Sequence, residues 1–425
     1  MDRDQEFAQY VGALSETLGH ADRVGPLADY CRGLMLSGER KSVEPMAALI
    51  APRAVSAKHQ SLHHFVAKAE WSDAALLSAV RRQILPGIGA IEAWIVDDTG
   101  YPKKGKHSVG VARQYCGQLG KQDNCQVAVS VSVANEKASL PIDYRLYLPR
   151  EWAEDTERCR RAEVPTGVLF KTKTALALEQ LQRARAQQVA AGVVLADAGY
   201  GNDADFRDGI SALGLTYAVG IQGSTTVWAP HHQPLPPRGR WGRGRPGTHL
   251  RRDRQHRPID VKALAHERPG RAWRRVEWRE GSAGALASRF ARVRVRAAHR
   301  NEVRGAEWLV IEWPLGETEP TKYWLSTLPE SITLKELIRL IKLRWRIERD
   351  YQELKQELGL GHYEGRNWRG FHHHASLSIA AYGFLMRSRL TRRAKKNAAL
   401  RVADISLRRP PRPQNYIPRG SPRAA

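Results

Sequence analysis

The spacing of apolar residues divides the chain into a helical beginning and a mixed middle part. In residues 1–88 apolar side chains recur every three or four positions, which is the period of a helix buried on one face. From Ala90 the period changes: 93–96 is a compact apolar run, and valines alternate with other residues through 125–133. Such runs and alternations are typical of strands. We therefore predict an all-helical amino-terminal region, 1–88, followed by a sheet.

Beyond this point the predicted strands and helices alternate. The sequence predicts a strand at 142–148, a long helix at 171–188, a buried strand at 193–196 and another strand at 216–221. Strands first, followed by helices alternating with strands, indicate a mixed sheet with helices on its faces. The predicted fold class is α/β, and the first part of its core spans 89–222.

A change in composition marks an insertion and a tail. Residues 230–258 are rich in proline, glycine and arginine, which predicts a flexible cationic loop. Because alternating strand patterns follow, 223–325 is predicted to be a β-rich insertion. The core resumes at 326–391, and the basic, proline-rich tail at 392–425 is predicted to be disordered.

Charge narrows the class of partner. The 68 Lys+Arg residues exceed the 44 Asp+Glu residues and give a net charge of +24, which favours polyanions such as DNA. The four cysteines form no CxxC pair, and no apolar segment follows the charged amino terminus. These features argue for a reducing compartment and against a signal peptide. We expect a soluble cytoplasmic protein, associated with the nucleoid when bound to DNA, that has no membrane partner.

Acidic residues follow two of the predicted strands. Asp97 and Asp98 come directly after the apolar run 93–96, and Asp197 follows 193–196; glycines come soon after each. One interpretation is turn or helix-cap chemistry, since Asp-Thr-Gly is a good turn sequence. The other is a metal site at one edge of the sheet, and the repetition of the arrangement favours it.

A third carboxylate lies on the best-defined predicted helix. Thr333 and Glu336 have capping-box spacing, and the helix is predicted to run to about Leu354. The apolar stripe of this helix, extended by three or four residues, reaches Glu348, so we expect a core-facing carboxylate. The alternative is an ordinary Arg344–Glu348 pair on a solvated face. We favour the first interpretation because Arg349, Asp350 and Glu353 are predicted to occupy the outer face.

Carboxylates from two strand ends and one helix form a site of hard oxygen ligands, which suits Mg²⁺ or Mn²⁺ better than zinc. Two such ions can activate the attacking oxygen and stabilise the leaving oxygen of a phosphoryl displacement. The sequence therefore predicts two-metal chemistry on a phosphodiester, with Mg²⁺ as the expected ion and Mn²⁺ as the alternative.

Three sequence blocks resemble bacterial insertion-sequence transposases of the DDE superfamily. The first runs from Trp94 to Lys104 and continues through SVGVARQY at 108–115 and NCQ at 124–126. The second is LADAGYG at 195–201, and the third is LRWRIE at 343–348, followed by Lys355. The third block is similar to the signature Y-x2-R-x3-E-x6-K, with Ile341 at the place of the tyrosine.

The resemblance implies a ribonuclease-H-like core that is interrupted by an insertion between the second aspartate and the glutamate. It implies a DNA transposase whose catalytic, metal-binding residues are Asp97, Asp197 and Glu348, with Asp98 as the second choice for the first ligand. Such an enzyme cuts at transposon ends and transfers the 3′ hydroxyl ends into target DNA. Because transposition joins two ends, a homodimer is expected in the complex that pairs them.

The same resemblance suggests residues that contact DNA. Tyr323 and Trp324 match the place where related enzymes stack a base, although strand core is the alternative interpretation. Cations near the three blocks could hold phosphates, and a solvated loop is the alternative for each lysine; these are Lys103, Lys104, Lys106, Arg113, Arg344 and Lys355. The amino-terminal helices are expected to recognise the transposon ends, and the histidines at 372–374 are expected on a solvated helix face. Two rival functions remain open: a metal-dependent endonuclease without strand transfer, and an inactive DNA-binding relic.

Overall fold

The computed structural model describes residues 2–237, 249–281, 284–299 and 303–406. Most of the arginine-rich stretch of the predicted basic loop, 238–248, lies outside the described residues, as does the end of the predicted tail, 407–425. None of the helices within the described ranges is long and apolar enough to cross a membrane.

The amino-terminal region is helical, as predicted. Five helices form it: α1 (Arg3–Ser15), α2 (Val24–Met35), α3 (Val43–Ile50), α4 (Val55–Ala67) and α5 (Asp73–Ile88). Side-chain caps fix the starts of the first and the last of them, since Asp2 forms a capping box at α1 and the Ser72 hydroxyl accepts from Ala75 N–H at α5.

The central part contains the strands and helices that position the site. It begins with four strands, β1 (Ala93–Pro102), β2 (Ala112–Cys116), β3 (Lys121–Ala134) and β4 (Ser139–Leu146). Three helices follow, α6 (Arg150–Ala153), α7 (Thr156–Arg161) and α8 (Lys173–Ala186). Next come β5 (Val193–Ala196), α9 (Ala198–Gly201), α10 (Ala204–Ala212) and β6 (Tyr217–Ile221).

The predicted insertion consists mainly of strands. They are β7 (Thr226–Trp228), β8 (Ile259–Asp260), β9 (Arg274–Gly281), β10 (Gly284–Ala297), β11 (Glu307–Pro314) and β12 (Lys322–Ser326), with α11 (Val261–His266) between β8 and β9. These strands extend the core sheet, because β12 pairs antiparallel with β6.

In the described residues, twelve strands form one mixed sheet flanked by helices, which confirms the predicted fold class. Its order is β2-β3-β1-β5-β6-β12-β11-β10-β7-β8, with β4 beside β3 and β9 beside β10. The pairs β1–β5 and β5–β6 are parallel, and the other pairs are antiparallel. The strands of this parallel centre, β1 and β5, contain parts of the first two sequence blocks.

The helix predicted from Thr333 to Leu354 is broken, which corrects that prediction. The Thr333 hydroxyl accepts from Glu336 N–H at the start of α12 (Leu334–Lys342), a second helix α13 (Trp345–Gln352) follows, and a π-helical turn occupies Glu353–Glu357. No glycine or proline marks the break in the sequence.

The last helix, α14 (Trp368–Ser406), corrects two further predictions. It continues to Ser406, so the tail predicted to be disordered from 392 is helical at its beginning. The three histidines His372, His373 and His374 are buried, so the prediction of a solvated face was wrong. Their rings contact backbone atoms of other elements: His372 accepts from Leu146 N–H, and His373 lies 3.0 Å from the Val66 carbonyl oxygen. They join the amino-terminal helices to the sheet.

Candidate active site

Asp97 lies in the middle of β1, not at its end as the sequence predicted. It is paired with Ser130 of β3, and β1 continues for five residues to Pro102. On the other side β1 pairs with β5 only from Ala93 to Ile95. The parallel pairing with β5 therefore stops two residues before Asp97, which leaves room for the Asp97 side chain next to the end of β5.

Asp97 is the buried carboxylate of the site. Its side chain is 13% exposed, and its Oδ1 accepts from the backbone N–H of Asp98 at 3.0 Å. Burial raises the pKa of Asp97 to about 7, the nearby Arg344 guanidinium opposes that rise, and the charges of Asp197 and Asp98 add to it. A positively charged partner is needed to keep this carboxyl ionised.

Asp98 has different surroundings from its neighbour. Its Oδ2 lies 2.5 Å from Nζ of Lys173, at the start of α8. Successive residues of a strand point to opposite faces of the sheet, which accounts for the separate partners of Asp97 and Asp98. The structure therefore brings Asp97, and not Asp98, onto the guanidinium of Arg344.

Asp197 caps the short helix α9. Its Oδ1 accepts from the backbone N–H groups of Gly199 at 2.9 Å and Tyr200 at 3.4 Å. The cap that the sequence offered as the alternative for Asp97 is thus found at Asp197. Its other oxygen, Oδ2, lies 3.7 Å from Arg344, so one oxygen fixes the turn and the other faces the site.

Glu348 is on the exposed side of α13, which corrects the predicted core-facing position. Its side chain is 67% exposed, and its Oε1 lies 3.2 Å from Nη1 of Arg344. The buried residues of α13 are Ile347, Asp350 and Tyr351, so the prediction that Asp350 occupies the outer face was also wrong. Because the helix is interrupted before Trp345, the apolar stripe of α12 cannot be extended by helical spacing to Glu348.

Arg344 connects the three carboxylates. Its Nη2 lies 3.0 Å from Asp97 Oδ2 and 3.7 Å from Asp197 Oδ2, and its Nη1 contacts Glu348. Burial lowers the pKa of Arg344, but the three carboxylates more than reverse this, so it remains a cation. The sequence offered only the local pair with Glu348, because the contacts with β1 and β5 depend on the tertiary fold.

The donor chemistry suits a divalent cation, and the arrangement includes a positive charge. The carboxylate oxygens are hard ligands of the kind that Mg²⁺ prefers. As the side chains lie, no three acidic, histidine or cysteine residues in the described ranges are close enough together to hold an ion. The Arg344 guanidinium instead lies among the carboxylates and supplies the positive charge that faces them.

Two buried hydroxyls that the sequence did not predict as part of the site lie next to the backbone of Asp97 or of its partner strand. The Tyr351 hydroxyl lies 2.7 Å from the Ser130 hydroxyl and 3.4 Å from the Asp97 carbonyl oxygen. Tyr351 belongs to α13, so its contact with Ser130 joins that helix to β3, and its contact with the Asp97 carbonyl oxygen joins it to β1. The seven-residue distance from Arg344 to Tyr351, two helical turns, is the signal that could have indicated a shared face.

Apart from Arg344, the predicted phosphate-binding cations fall into two groups. Lys104, Lys106 and Arg113 are exposed. Two others have backbone partners: Nζ of Lys103 donates to the Tyr363 carbonyl oxygen at 2.8 Å, and Nζ of Lys355 donates to the Gly100 carbonyl oxygen at 2.8 Å. Burial lowers the pKa of both lysines, that of Lys355 to about 8.

Tyr323 and Trp324 are adjacent in β12 but differ in their surroundings. Tyr323 is buried, and its hydroxyl donates to the Pro320 carbonyl oxygen at 2.8 Å. Trp324 is partly buried, and Nζ of Lys342 lies 5.3 Å from its ring centroid. Of the two rings, that of Trp324 is the more accessible.

Comparisons with known proteins identify the family of the chain. A model of the DDE superfamily endonuclease family matches residues 13–285, more than half of the chain, a range that includes Asp97 and Asp197. The chain is also 31% identical over 171 residues to a probable transposase for insertion sequence element IS701 from Microchaete diplosiphon. That alignment covers 40% of this chain and 42% of the relative, so the chain spans less than half the length of the curated relative it matches. The chain belongs to the DDE superfamily of endonucleases.

Proposed function

We propose that this protein is a DNA transposase that cuts DNA at the ends of a mobile element and joins the freed ends to target DNA. The supporting observation is the meeting of Asp97, Asp197 and Glu348, from three separate elements, on one guanidinium. Family membership supports the endonuclease part of the proposal, and the IS701 relative supports transposition.

The three carboxylates are the proposed ligands of two divalent ions, Mg²⁺ by preference. When bound, these ions would supply Lewis-acid stabilisation of the phosphate charge and would activate the attacking oxygen. In the first reaction a water oxygen attacks phosphorus, the bond from phosphorus to the 3′ oxygen breaks, and the water proton replaces it on that oxygen. In the second reaction the freed 3′ hydroxyl attacks a target phosphate and releases a target 3′ hydroxyl.

The protein's own residues have three roles in this proposal. Asp97 and Asp197 are fixed by the sheet and by the α9 cap, so their oxygens are positioned before substrate binds. Arg344 has several N–H donors in a planar fork and can move from the carboxylates to a phosphate. Lys104, Lys106 and Arg113 provide exposed charge for the DNA backbone. Two subunits would hold the two ends.

Cleavage of a labelled duplex that contains the DNA flanking this coding sequence tests the proposal. The reaction is run with Mg²⁺, Mn²⁺, Ca²⁺ or EDTA, using the native chain and four variants: Glu348→Gln, Asp197→Asn, Asp97→Asn and Asp98→Asn. We expect metal-dependent nicking at the ends that Glu348→Gln, Asp197→Asn and Asp97→Asn abolish. Asp98→Asn is the matched control and retains nicking, because its partner is Lys173.

A second, unlabelled duplex in the same reaction distinguishes transposition from simple hydrolysis. Joining of the labelled 3′ end to that duplex supports a transposase, whereas nicking without joining would reduce the proposal to a metal-dependent endonuclease. Binding without nicking in every metal, unchanged by the four substitutions, would contradict the catalytic proposal and leave a DNA-binding relic.

A further inference from the structure

The hairpin formed by β2 and β3 has an exposed apolar tip beside the catalytic strand. Tyr115, in β2, is 59% exposed, and Leu119, in the turn, is 42% exposed. A single exposed apolar side chain on a protein surface needs no explanation, but these two stand four residues apart at one end of the same hairpin. The cations Arg113 and Lys121, both exposed, lie on either side of the tip in the sequence.

The hairpin is held against the site at two points. A side chain at Gly100, three residues after Asp97 in β1, would lie 2.9 Å from the sulfur of Cys116, so the hairpin touches the β1 backbone directly. Lys355, seven residues after Glu348, donates to the Gly100 carbonyl oxygen and to Oε1 of Gln118 at 3.3 Å. The tip is therefore fixed relative to the strand and the helical segment that contain the catalytic carboxylates.

The chemistry of the tip indicates which part of DNA it would contact. The polar side chain of the turn, Gln118, is already engaged by Lys355, so it is less available to read base edges. Tyr115 and Leu119 offer a ring and an aliphatic surface, which suit the flat face of a base. The face of a base is exposed only where the base is unpaired, while neighbouring cations can bind phosphates of any strand.

We propose that the hairpin tip, Tyr115 with Leu119, stacks on unpaired bases of the DNA strand next to the cleavage point. Arg113 and Lys121 hold the neighbouring phosphates. This inference rests on the proposed function only in that DNA is the substrate, and it requires neither cutting nor strand transfer. The protein is therefore expected to prefer DNA whose bases next to the cleavage point are unpaired.

The test is a binding measurement in EDTA, where cleavage does not interfere. Fluorescence anisotropy compares a fully paired duplex carrying the end of the element and its flanking DNA with the same duplex mismatched at the bases next to the cleavage point. The native chain should bind the mismatched duplex more tightly, by roughly tenfold, since stacking of one base on an aromatic ring changes affinity by that order. Tyr115→Ala and Leu119→Ser should remove this preference, whereas Tyr115→Phe should retain it.

Two controls separate stacking from charge and from general damage. Leu169→Ser changes a leucine outside the hairpin that is 70% exposed, and it should leave the preference intact. Arg113→Gln should weaken binding to both duplexes and reduce the slope of log affinity against log salt by about one, while Tyr115→Ala should leave that slope unchanged.

The outcomes distinguish this inference from the proposed function. Loss of the preference in Tyr115→Ala, with or without nicking activity in the native chain, supports the hairpin contact. An equal preference in the native chain and in Tyr115→Ala, or no preference in the native chain, overturns it even if the enzyme nicks and joins DNA. Absence of DNA binding by the native chain overturns both.

Discussion

Arg344 and Asp97 lie 247 residues apart in the sequence, yet Nη2 of the arginine is 3.0 Å from Oδ2 of the aspartate. The contact joins the segment between α12 and α13 to the centre of the sheet. The same guanidinium contacts Asp197 and Glu348, so one cation offsets the repulsion among three carboxylates. Its position makes Arg344 a competitor of any metal ion that the carboxylates bind.

Replacement of Arg344 should therefore have opposite effects without and with metal. In EDTA, Arg344→Gln leaves Asp97 buried without a charged partner, and we expect a loss of about 2 kcal/mol in the free energy of unfolding. With Mg²⁺ the variant should gain more stability than the native chain does, because the competing cation is absent. Urea unfolding in EDTA and in Mg²⁺ measures both.

The matched control is Arg161→Gln, which breaks an exposed pair with Glu157. Exposed helix pairs contribute little, so this change should alter the free energy of unfolding by less than about 0.5 kcal/mol in both conditions. Equal stabilisation of native and Arg344→Gln chains by Mg²⁺ would show that Arg344 does not compete with the ion.

Gly201, at the end of α9, should tolerate no side chain. A Cβ at this position would overlap the Gly220 carbonyl oxygen of β6, so Gly201→Ala must move α9 and the Asp197 cap with it. We expect a loss of about 2–3 kcal/mol in unfolding free energy and loss of nicking, as overpacking forces the backbone to shift.

Gly12→Ala serves as the control for that substitution, since a Cβ at Gly12 of α1 meets open space. It should be neutral or stabilise the protein by up to about 1 kcal/mol. A Gly201→Ala chain as stable and as active as the native chain would contradict the close packing of α9 on β6.

The buried histidines predict a loss of stability in acid. Burial lowers the pKa of His372 to about 4, with Asp73 opposing and Arg145 and His373 adding to the shift. Above pH 6.5 the ring is neutral in the folded and unfolded chains, so it contributes no pH dependence. As the pH falls from 6.5 to 4, only the unfolded chain takes up the proton. The free energy of unfolding therefore decreases by up to about 1.4 kcal/mol per pH unit because of this histidine.

Comparison of the native chain with His372→Gln measures this contribution. The slope of unfolding free energy against pH, taken from urea unfolding between pH 4 and 6.5, should be smaller in the variant. His107→Gln, which changes an exposed histidine, should leave the slope as it is. An identical slope in the native chain and His372→Gln would argue against a neutral buried ring.

The sequence predicted the helical beginning, the mixed sheet and the acidic residues after apolar runs, because those features depend on local periodicity. The predictions from sequence were wrong where contacts between distant elements determine the structure. The break between α12 and α13 has no glycine or proline signal, and Trp345 beyond it packs under Arg279 of β9, with the guanidinium carbon 4.1 Å from the ring centroid. The histidines at 372–374 are polar in sequence but find backbone partners in distant elements, which hydropathy cannot anticipate.

The candidate site shows the same division. The block sequences indicated Asp97, Asp197 and Glu348, but not which oxygen of each faces the others. Asp97 Oδ1 is occupied by Asp98 N–H and Asp197 Oδ1 by the α9 cap, which leaves the Oδ2 atoms toward Arg344. Those assignments arise from the β1–β3 register and from a helix cap, and a sequence pattern does not specify them.

Metal-directed cleavage of the polypeptide tests the central claim most directly. Fe²⁺ replaces Mg²⁺, and ascorbate with peroxide then generates hydroxyl radicals that cut the backbone close to the ion. We predict cuts in β1 near Asp97, at the start of α9 near Asp197 and in α13 near Glu348, all suppressed by excess Mg²⁺ and by Asp197→Asn. Cuts confined to other segments, or none that depend on Asp197, would contradict a shared metal site at the three carboxylates.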